Sequence, residues 1–499
     1  MSASAHHPVL LVAVPLIFAA LCPIVGMWKR DLCFPWALAG VGTTAFFAWT
    51  LIGKVSSSKA VTYNLSGWRP PWGIQIRIDL VGLMMACLVT GVGVLLILYS
   101  WRYAAREIKP ERIPYYYTLL LLLITAMLGF SITGDLFNFF VFMEIFSITS
   151  YALVAIAGER RATRAALKYL LMGATSSLLV LFAIAFLYSV TGSLNMLDIS
   201  RQLGKMASQY APVASVALIL FVVGFSVKSA LFPLHEWLPD AHSIAPSPIS
   251  AILSALVIKM GVLGILRILF VVYSPAFAGE SASWGRVAGV LSWVAAIAIV
   301  AGSAMAIIQS ELKVMIAYSS ISHVGYILLG ICMLSSQGMT GGLYNILAHA
   351  MGKACLFLVA GAFIYKHGIK RIQDLKGIGR TMPVTAGAFA LASLSIVGLP
   401  PSAGFIAKWY ILWGCISKGN YAFVVMVLLG SLLSAIYCFR VVYYMFFTGR
   451  RTRTQPVDEV PATMYVPAAL LSAGTLFFGI FASLVLPALS GVARSLLVR

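Results

Sequence analysis

Residues 221–242 read FVVGFSVKSALFPLHEWLPDAH. The stretch is apolar enough to sit in a bilayer, yet Pro233 falls near its middle and Lys228 just before it. Proline lacks the backbone donor and clashes with the preceding turn, so a helix breaks or kinks there. Residues 391–412, LASLSIVGLPPSAGFIAKWYIL, repeat the arrangement with Pro400, Pro401 and Lys408. Paired interrupted spans in corresponding places point to inverted repeats around a mid-membrane ion site.

The rest of the chain supplies the spans for such repeats. Of its 499 residues, 61% are hydrophobic and 10% charged, and the mean hydropathy is +0.95. No soluble core could hide that much apolar surface. Crossing the hydrocarbon takes about 20 apolar residues, and about fourteen runs meet that requirement. They begin near residues 8, 33, 79, 115, 136, 166, 212, 246, 285, 313, 341, 383, 421 and 462. The breaks fall in the seventh and twelfth runs, five apart. Five is odd, so a unit of spans four to eight and a unit of spans nine to thirteen must be oppositely oriented. The expected fold is all-α integral membrane, with about fourteen transmembrane helices and two inverted five-helix repeats, each containing a broken helix. The expected divisions are helices one to three over 1–112, repeat one over 113–275, repeat two over 284–449, and the last helix over 450–499. The longest hydrophilic stretch, about residues 53–78, has the Trp and Pro residues of a membrane-surface loop or hairpin.

The net charge of +20 is placed for a membrane and not for nucleic acid. Cations cluster in alternate loops: Lys29 and Arg30 after the first run, Arg102, Arg106, Lys109 and Arg112 after the third, and Arg160, Arg161, Arg164 and Lys168 after the fifth. Lys366, Lys370, Arg371, Lys376 and Arg380 follow the eleventh, and Arg450, Arg451 and Arg453 the thirteenth. The positive-inside rule puts these odd loops on the cytoplasmic side, in a cytoplasmic (inner) membrane with both termini outside. Lys54, Lys59, Arg69 and Arg77, in the second loop, are the exception. The N-terminal apolar run lacks a basic leader and is expected to be the first span. The seven cysteines are scattered without a CxxC pair, so no iron–sulfur, zinc or disulfide framework is expected. No GxxxxGK[ST] motif is present, so no ATP site of that type is expected.

Ionisable residues inside the spans carry the functional reading. Glu144 lies in the fifth, Lys228 in the seventh, Lys259 in the eighth and His323 in the tenth. His349 and Lys353 share one face of the eleventh, and Lys408 follows the second break. Taken singly, a lysine can snorkel to the surface, a histidine can bond a carbonyl, and a carboxylate can make a static ion pair. As a set they recur over consecutive spans, and central charges are rare and functional. Lysines repel cations, which argues against a metal site. A buried amine gives up its proton more readily than an exposed one, and a nearby carboxylate reverses that. Glu144 approaching or leaving Lys228 is thus expected to load or release a proton.

Four stretches carry a resemblance. GDLFNFFVFMEIFSITSYALVA (134–155), KSALFPLHEWLPDAHSIAPSPISAILSALVIKMGV (228–262), AYSSISHVGYILLG (317–330) and GLPPSAGFIAKWYIL (398–412) resemble the antiporter-like subunits of respiratory complex I. They also resemble the Mrp-type cation/proton antiporters and the membrane-bound hydrogenases. The likeness covers roughly residues 70–450. GWRPPWGIQIRID (67–79) and the short C-terminal part look closest to the D-type subunits of the Mrp antiporters and their hydrogenase counterparts. The resemblance implies proton transfer along a polar axis in the membrane plane, through Glu144, Lys228, Lys259, His323, His349, Lys353 and Lys408. Asp135 and His235 lie near the motifs without an assigned role. The largest complex I member carries a long lateral helix near its C-terminus, so this chain is not expected to be that subunit.

The expected function is a proton-translocating subunit of a multi-subunit membrane complex. In one version flavin and iron–sulfur or NiFe subunits drive it. In the other it serves Na+/H+ exchange, with other multi-span subunits as partners. No cofactor or metal is expected in the chain itself. Sodium would call for more oxygen ligands than Glu144 supplies. A stand-alone carrier of an organic solute is the alternative, disfavoured because the lysines are spread over five or more spans. A purely structural subunit is disfavoured because lysines outnumber carboxylates.

Overall fold

The computed structural model describes residues 6–206, 210–273, 282–449 and 457–497. Arg450, Arg451 and Arg453 lie outside the described residues, as does the junction between the two expected repeat divisions. Among the described residues, thirteen helices are long and apolar enough to cross a membrane. The twelfth apolar run is the fourteenth candidate, split into Pro383–Val397 and Ala403–Ser417, each too short to cross alone. The seventh is split as well: its first half, Ala211–Lys228, ends at the lysine, and helix Trp237–Ile244 resumes after Pro233.

Burial sorts the spans. Every residue in the most apolar window of the eighth span, Ser247–Val272, is buried, and 94% in the eleventh, Ser336–His367. Only 28% are buried in the first, His7–Trp28. The central position of the eighth and eleventh spans explains how lysines can sit at membrane depth, since intramembrane charges must face the bundle interior. The eighth span packs directly on the first break. A Cβ at Gly261 would lie 2.4 Å from the backbone nitrogen of Ser229, so only glycine permits this contact.

The two repeats match in register. The sixth span, Arg160–Thr191, and the eleventh, Ser336–His367, each have 32 residues and end on a left-handed glycine, Gly192 and Gly368. An isolated antiparallel bridge joins Asp135 to Asn195 before and after spans five and six, and another joins Glu311 to Arg371 around spans ten and eleven. One offset of 176 residues carries Leu136 to Leu312, Arg160 to Ser336, Gly192 to Gly368 and Asn195 to Arg371. With five spans between equivalent elements, the second copy is inverted.

The hydrophilic stretch forms a hairpin. Strand β1 (Ala60–Asn64) pairs antiparallel with β2 (Gln75–Asp79), from Ala60 opposite Asp79 to Asn64 opposite Gln75. A C-terminal helix, Leu486–Leu497, follows the fourteenth span, Ala462–Ile480.

Candidate functional site

Asp135 caps the fifth span, Leu136–Val154, its carboxylate accepting from Asn138 N at 2.7 Å. Glu144, Ser147 and Tyr151 then follow along one helix face. Lys228 Nζ reaches that face from the end of its half-helix. It donates to Ser147 Oγ at 2.7 Å, to the Gly173 carbonyl at 3.1 Å and to Tyr151 OH at 3.3 Å. No ion pair within 4.0 Å joins it to Glu144 among the described residues. The buried Glu144 Oε1 has no hydrogen-bond partner. Ser147 stands three residues on from Glu144, a rise of about 4.5 Å. The lysine therefore rests about one turn from the carboxylate.

Lys259 lies just past a π-helical segment, Leu253–Val257, and donates to the Ser254 carbonyl inside it. Such widened turns recur at functional sites. Ser254 Oγ in turn bonds Ser320 Oγ of the tenth span at 2.8 Å. Lys353 reaches from the eleventh span to the tenth, donating to the Ile316 carbonyl at 3.0 Å and to Ser319 Oγ. One turn away, His349 stacks on His323, with ring centroids 4.7 Å apart and planes at 21°. All four ring nitrogens of this pair are buried without hydrogen-bond partners.

Lys408 belongs to the second half of the twelfth span and folds back on the first half. It donates to the carbonyls of Ile396 at 3.0 Å and Val397 at 2.9 Å, the open C-terminal end of that half-helix, and to Ser431 Oγ at 3.1 Å. A cation is favoured at a helix C-terminus. The ammonium also stands 4.4 Å from the centroid of the Tyr326 ring. Gly398 makes the fold-back possible: its φ is +85°, and a Cβ there would lie 2.7 Å from Lys408 Cδ.

The repeat register relates these sites. The offset of 176 carries Ser147 to His323 and Gly173 to His349. Two of the three positions that hold the Lys228 ammonium in the first repeat thus correspond to the stacked histidines in the second, and the third, Tyr151, corresponds to Ile327. Glu144 corresponds to Ser320.

Two residues of the interior were not singled out in the sequence. Lys313 is buried at the start of the tenth span, Leu312–Cys332, and donates to the Ala245 carbonyl. His242, three residues before Ala245, is fully buried, stacks on Phe357 at 4.6 Å and has neither nitrogen bonded. Lys313 falls two residues into an apolar run, where lysine reads as a span edge. His242 falls in WLPDAH, which reads as the far side of a break. Lys313 also lines a cavity of about 270 Å³ at the odd-loop ends, with Glu107, Glu159, Arg161, Glu311 and Lys370. Among the described residues no group of three or more His, Cys, Asp or Glu is placed to hold a metal ion.

The comparisons agree with this architecture. The chain is 38% identical over 494 residues to NADH-quinone oxidoreductase subunit N of Desulforudis audaxviator (strain MP104C), covering 96% of each chain. It is 29% identical to the D-type subunit of the Na(+)/H(+) antiporter of Bacillus subtilis (strain 168), covering 98% of this chain and 97% of the other. A chain of the membrane-bound sulfane sulfur reductase (MBS), an archaeal respiratory membrane complex, superposes with a TM-score of 0.90 at 30% identity, over 98% of this chain and 97% of that one. Residues 71–112 match NADH-Ubiquinone oxidoreductase (complex I), chain 5 N-terminus. Residues 133–434 match the family described as NADH:quinone oxidoreductase/Mrp antiporter, TM, and the chain belongs to that family.

Proposed function

We propose that the chain passes protons along the line Glu144, Lys228, Lys259, Lys353, His349, His323 and Lys408, as one membrane subunit of a larger complex. The observation that carries this reading is the buried, carboxylate-poor row itself. From Lys228 to Lys408 every member is at most 4% exposed. The three lysines past Lys228 rest on carbonyls and hydroxyls rather than on carboxylates. Groups held this way are free to exchange protons with the two histidines beside them.

The eleventh span supports a route into the row. Ile364 lines the 270 Å³ cavity, and Phe357, Lys353 and His349 follow at turn spacings on the same helix. From Ile364 to His349 is a rise of about 22 Å, which is the depth from a membrane face to past mid-bilayer. His242, stacked on Phe357, and Lys313 at the cavity floor are the intermediate groups. In this reading repeat one (113–275) and repeat two (284–449) each supply one half of the route. The odd loops face the cytoplasm, in a cytoplasmic membrane with both termini outside.

Of the two driving forces, the similarity to NADH-quinone oxidoreductase subunit N and to the sulfane sulfur reductase complex favours redox partners. Flavin or iron–sulfur centres would then sit in those partners. The Na+/H+ exchange reading rests on the likeness to the Bacillus subtilis antiporter chain. Lys228, Lys259, Lys353 and Lys408 belong to the seventh, eighth, eleventh and twelfth spans, a spread that does not favour a single organic-solute pocket. The test is proton uptake by vesicles carrying the complex with Lys313→Arg, which keeps the donor to Ala245 but never releases a proton. The reading expects at least a tenfold loss, and an unchanged rate would remove this route into the row.

A further inference from the structure

Lys259 and Lys353 stand on different spans, the eighth and the eleventh, and serines lie between them. Lys259 donates to the Ser254 carbonyl. The hydroxyl of that same residue meets Ser320 Oγ of the tenth span at 2.8 Å, and both serines are fully buried. Ser320 Oγ also donates to the Ile316 carbonyl oxygen at 3.0 Å. That oxygen is shared: Lys353 Nζ donates to it at 3.0 Å and Ser319 Oγ at 2.8 Å, while Ser319 Oγ itself accepts from Lys353. Three donors therefore converge on one carbonyl. A carbonyl oxygen has two lone pairs, so the three cannot all bond it fully at once. Ser320 has another acceptor in reach, Ser254 Oγ, and either serine of that pair can be the donor.

We propose that the Ser254–Ser320 hydroxyl pair is an orientation switch that couples the proton on Lys353 to the proton on Lys259, so that one of the two lysines is charged at a time. The inference rests on the proton row proposed above and adds two positioning residues to it. With Lys353 charged, its ammonium and Ser319 fill the Ile316 oxygen, and Ser320 turns its hydrogen to Ser254. A lone pair of Ser254 is then taken, and its own hydrogen is turned out beside the carbonyl that holds Lys259, which opposes an ammonium there. With Lys353 neutral, the Ser319 hydrogen turns to the amine nitrogen, Ser320 returns to Ile316, and Ser254 donates to Ser320. Both lone pairs of Ser254 are then left for a charged Lys259. No covalent bond changes; hydroxyl groups rotate. Such a coupling is reciprocal, so charging Lys259 equally favours a neutral Lys353.

The repeat register gives a reason for a hydroxyl at this point. Ser320 occupies in the second copy the place of Glu144 in the first. A carboxylate carries a charge of its own and holds a neighbouring ammonium protonated, whereas a hydroxyl can turn either way and let the proton go. The other titratable groups that bear on the two lysines are His242 after the first break, His323 on the tenth span, His349 on the eleventh and Cys438 on the thirteenth. None of these four is hydrogen-bonded to Ser254 or Ser320.

The test measures proton uptake by vesicles carrying the assembled complex. Ser254→Ala and Ser320→Ala each remove one hydroxyl and leave the rest of the packing in place. Each is expected to slow uptake about fivefold or more, and the double variant no further, because two partners lose one shared interaction only once. Ser254→Thr keeps the hydroxyl and is expected to stay within about twofold of the parent. Lys353→Ala, measured alongside, separates this inference from the row beneath it. A slow Lys353→Ala with parent-like serine variants would leave the row standing and overturn the switch. Losses that multiply in the double variant would overturn it as well, since two serines that act independently behave that way. So would a Ser254→Thr as slow as Ser254→Ala, which would mean that side-chain volume, and not the hydroxyl, matters. A parent-like Lys353→Ala would remove the row and the switch with it.

Discussion

The ammonium of Lys228 rests on Ser147, Gly173 and Tyr151, about one turn from Glu144. A short swing along the face of the fifth span would trade hydroxyls for a carboxylate and so change how tightly the proton is held. Glu144→Gln and Lys228→Ala are each expected to cut proton uptake in vesicles below about a tenth of the parent rate while the complex still assembles, since general proton transfer by a placed group contributes roughly 10²–10⁴-fold. Full uptake by either variant would refute the switch. Gly398→Ala tests the other break. The new Cβ would collide with Lys408 Cδ at a φ of +85°, so the lysine must leave the Ile396 and Val397 carbonyls. A loss of about 1–3 kcal/mol in stability is expected from the strained backbone alone, with slower proton uptake, and thermal unfolding of the complex reads the first. Glu144, Lys228, Lys259, Lys353, Lys408 and the histidines His323 and His349 were visible in the sequence because an ionisable residue is conspicuous in an apolar run. Their bonds were not. That Lys228 rests beside Glu144 rather than on it depends on where Gly173 places a carbonyl, and no spacing encodes that.

At the scale of elements, the two breaks were legible because proline at mid-span leaves few alternatives. The register of the repeats was not. Spans five and six align with spans ten and eleven at an offset of 176, yet Ser147 and Gly173 correspond to His323 and His349, so the copies share geometry while these site positions differ. The Asp79–Arg267 contact was also hidden, because it joins a strand end to the last turns of the eighth span across 188 positions. Burial works to raise the Asp79 pKa, but Arg267, through charge and hydrogen bonds, overcomes it and holds the carboxyl below its ordinary value. The sign follows: the stabilisation is present above the unfolded carboxyl value of about 3.9 and is lost as pH falls through the lower folded value. Asp79→Asn is expected to cost about 3–5 kcal/mol, because it leaves a buried guanidinium uncompensated. It should also flatten the acid limb of stability against pH. An acid limb identical to the parent's would show that the contact contributes nothing.

For the molecule as a whole, the interior carries far more buried lysine than carboxylate, and this imbalance shapes what the chain can do. Like charges that close cannot all be protonated at once without large cost. On the proposed route, a proton added at one end of the row would disfavour protonation of its neighbour, and charge would move by displacement along the row rather than by filling it. Lys408 ends the row and is held by helix-end carbonyls, Ser431 and the Tyr326 ring. Lys418, ten residues on, lies exposed beyond the end of the same half-helix. The two lysines are the same residue type, one inside the half-helix and one just past its end, so they separate membership of the row from general electrostatics. Lys408→Ala is expected to lower proton uptake at least tenfold in the assembled complex, and Lys418→Ala to leave it within about twofold of the parent, as surface charges contribute little. Equal losses would mean that net charge on the chain, and not a continuous buried row, governs the rate. If Lys408→Ala alone were silent, the row would end at His323, and the second break would serve the fold rather than the proton.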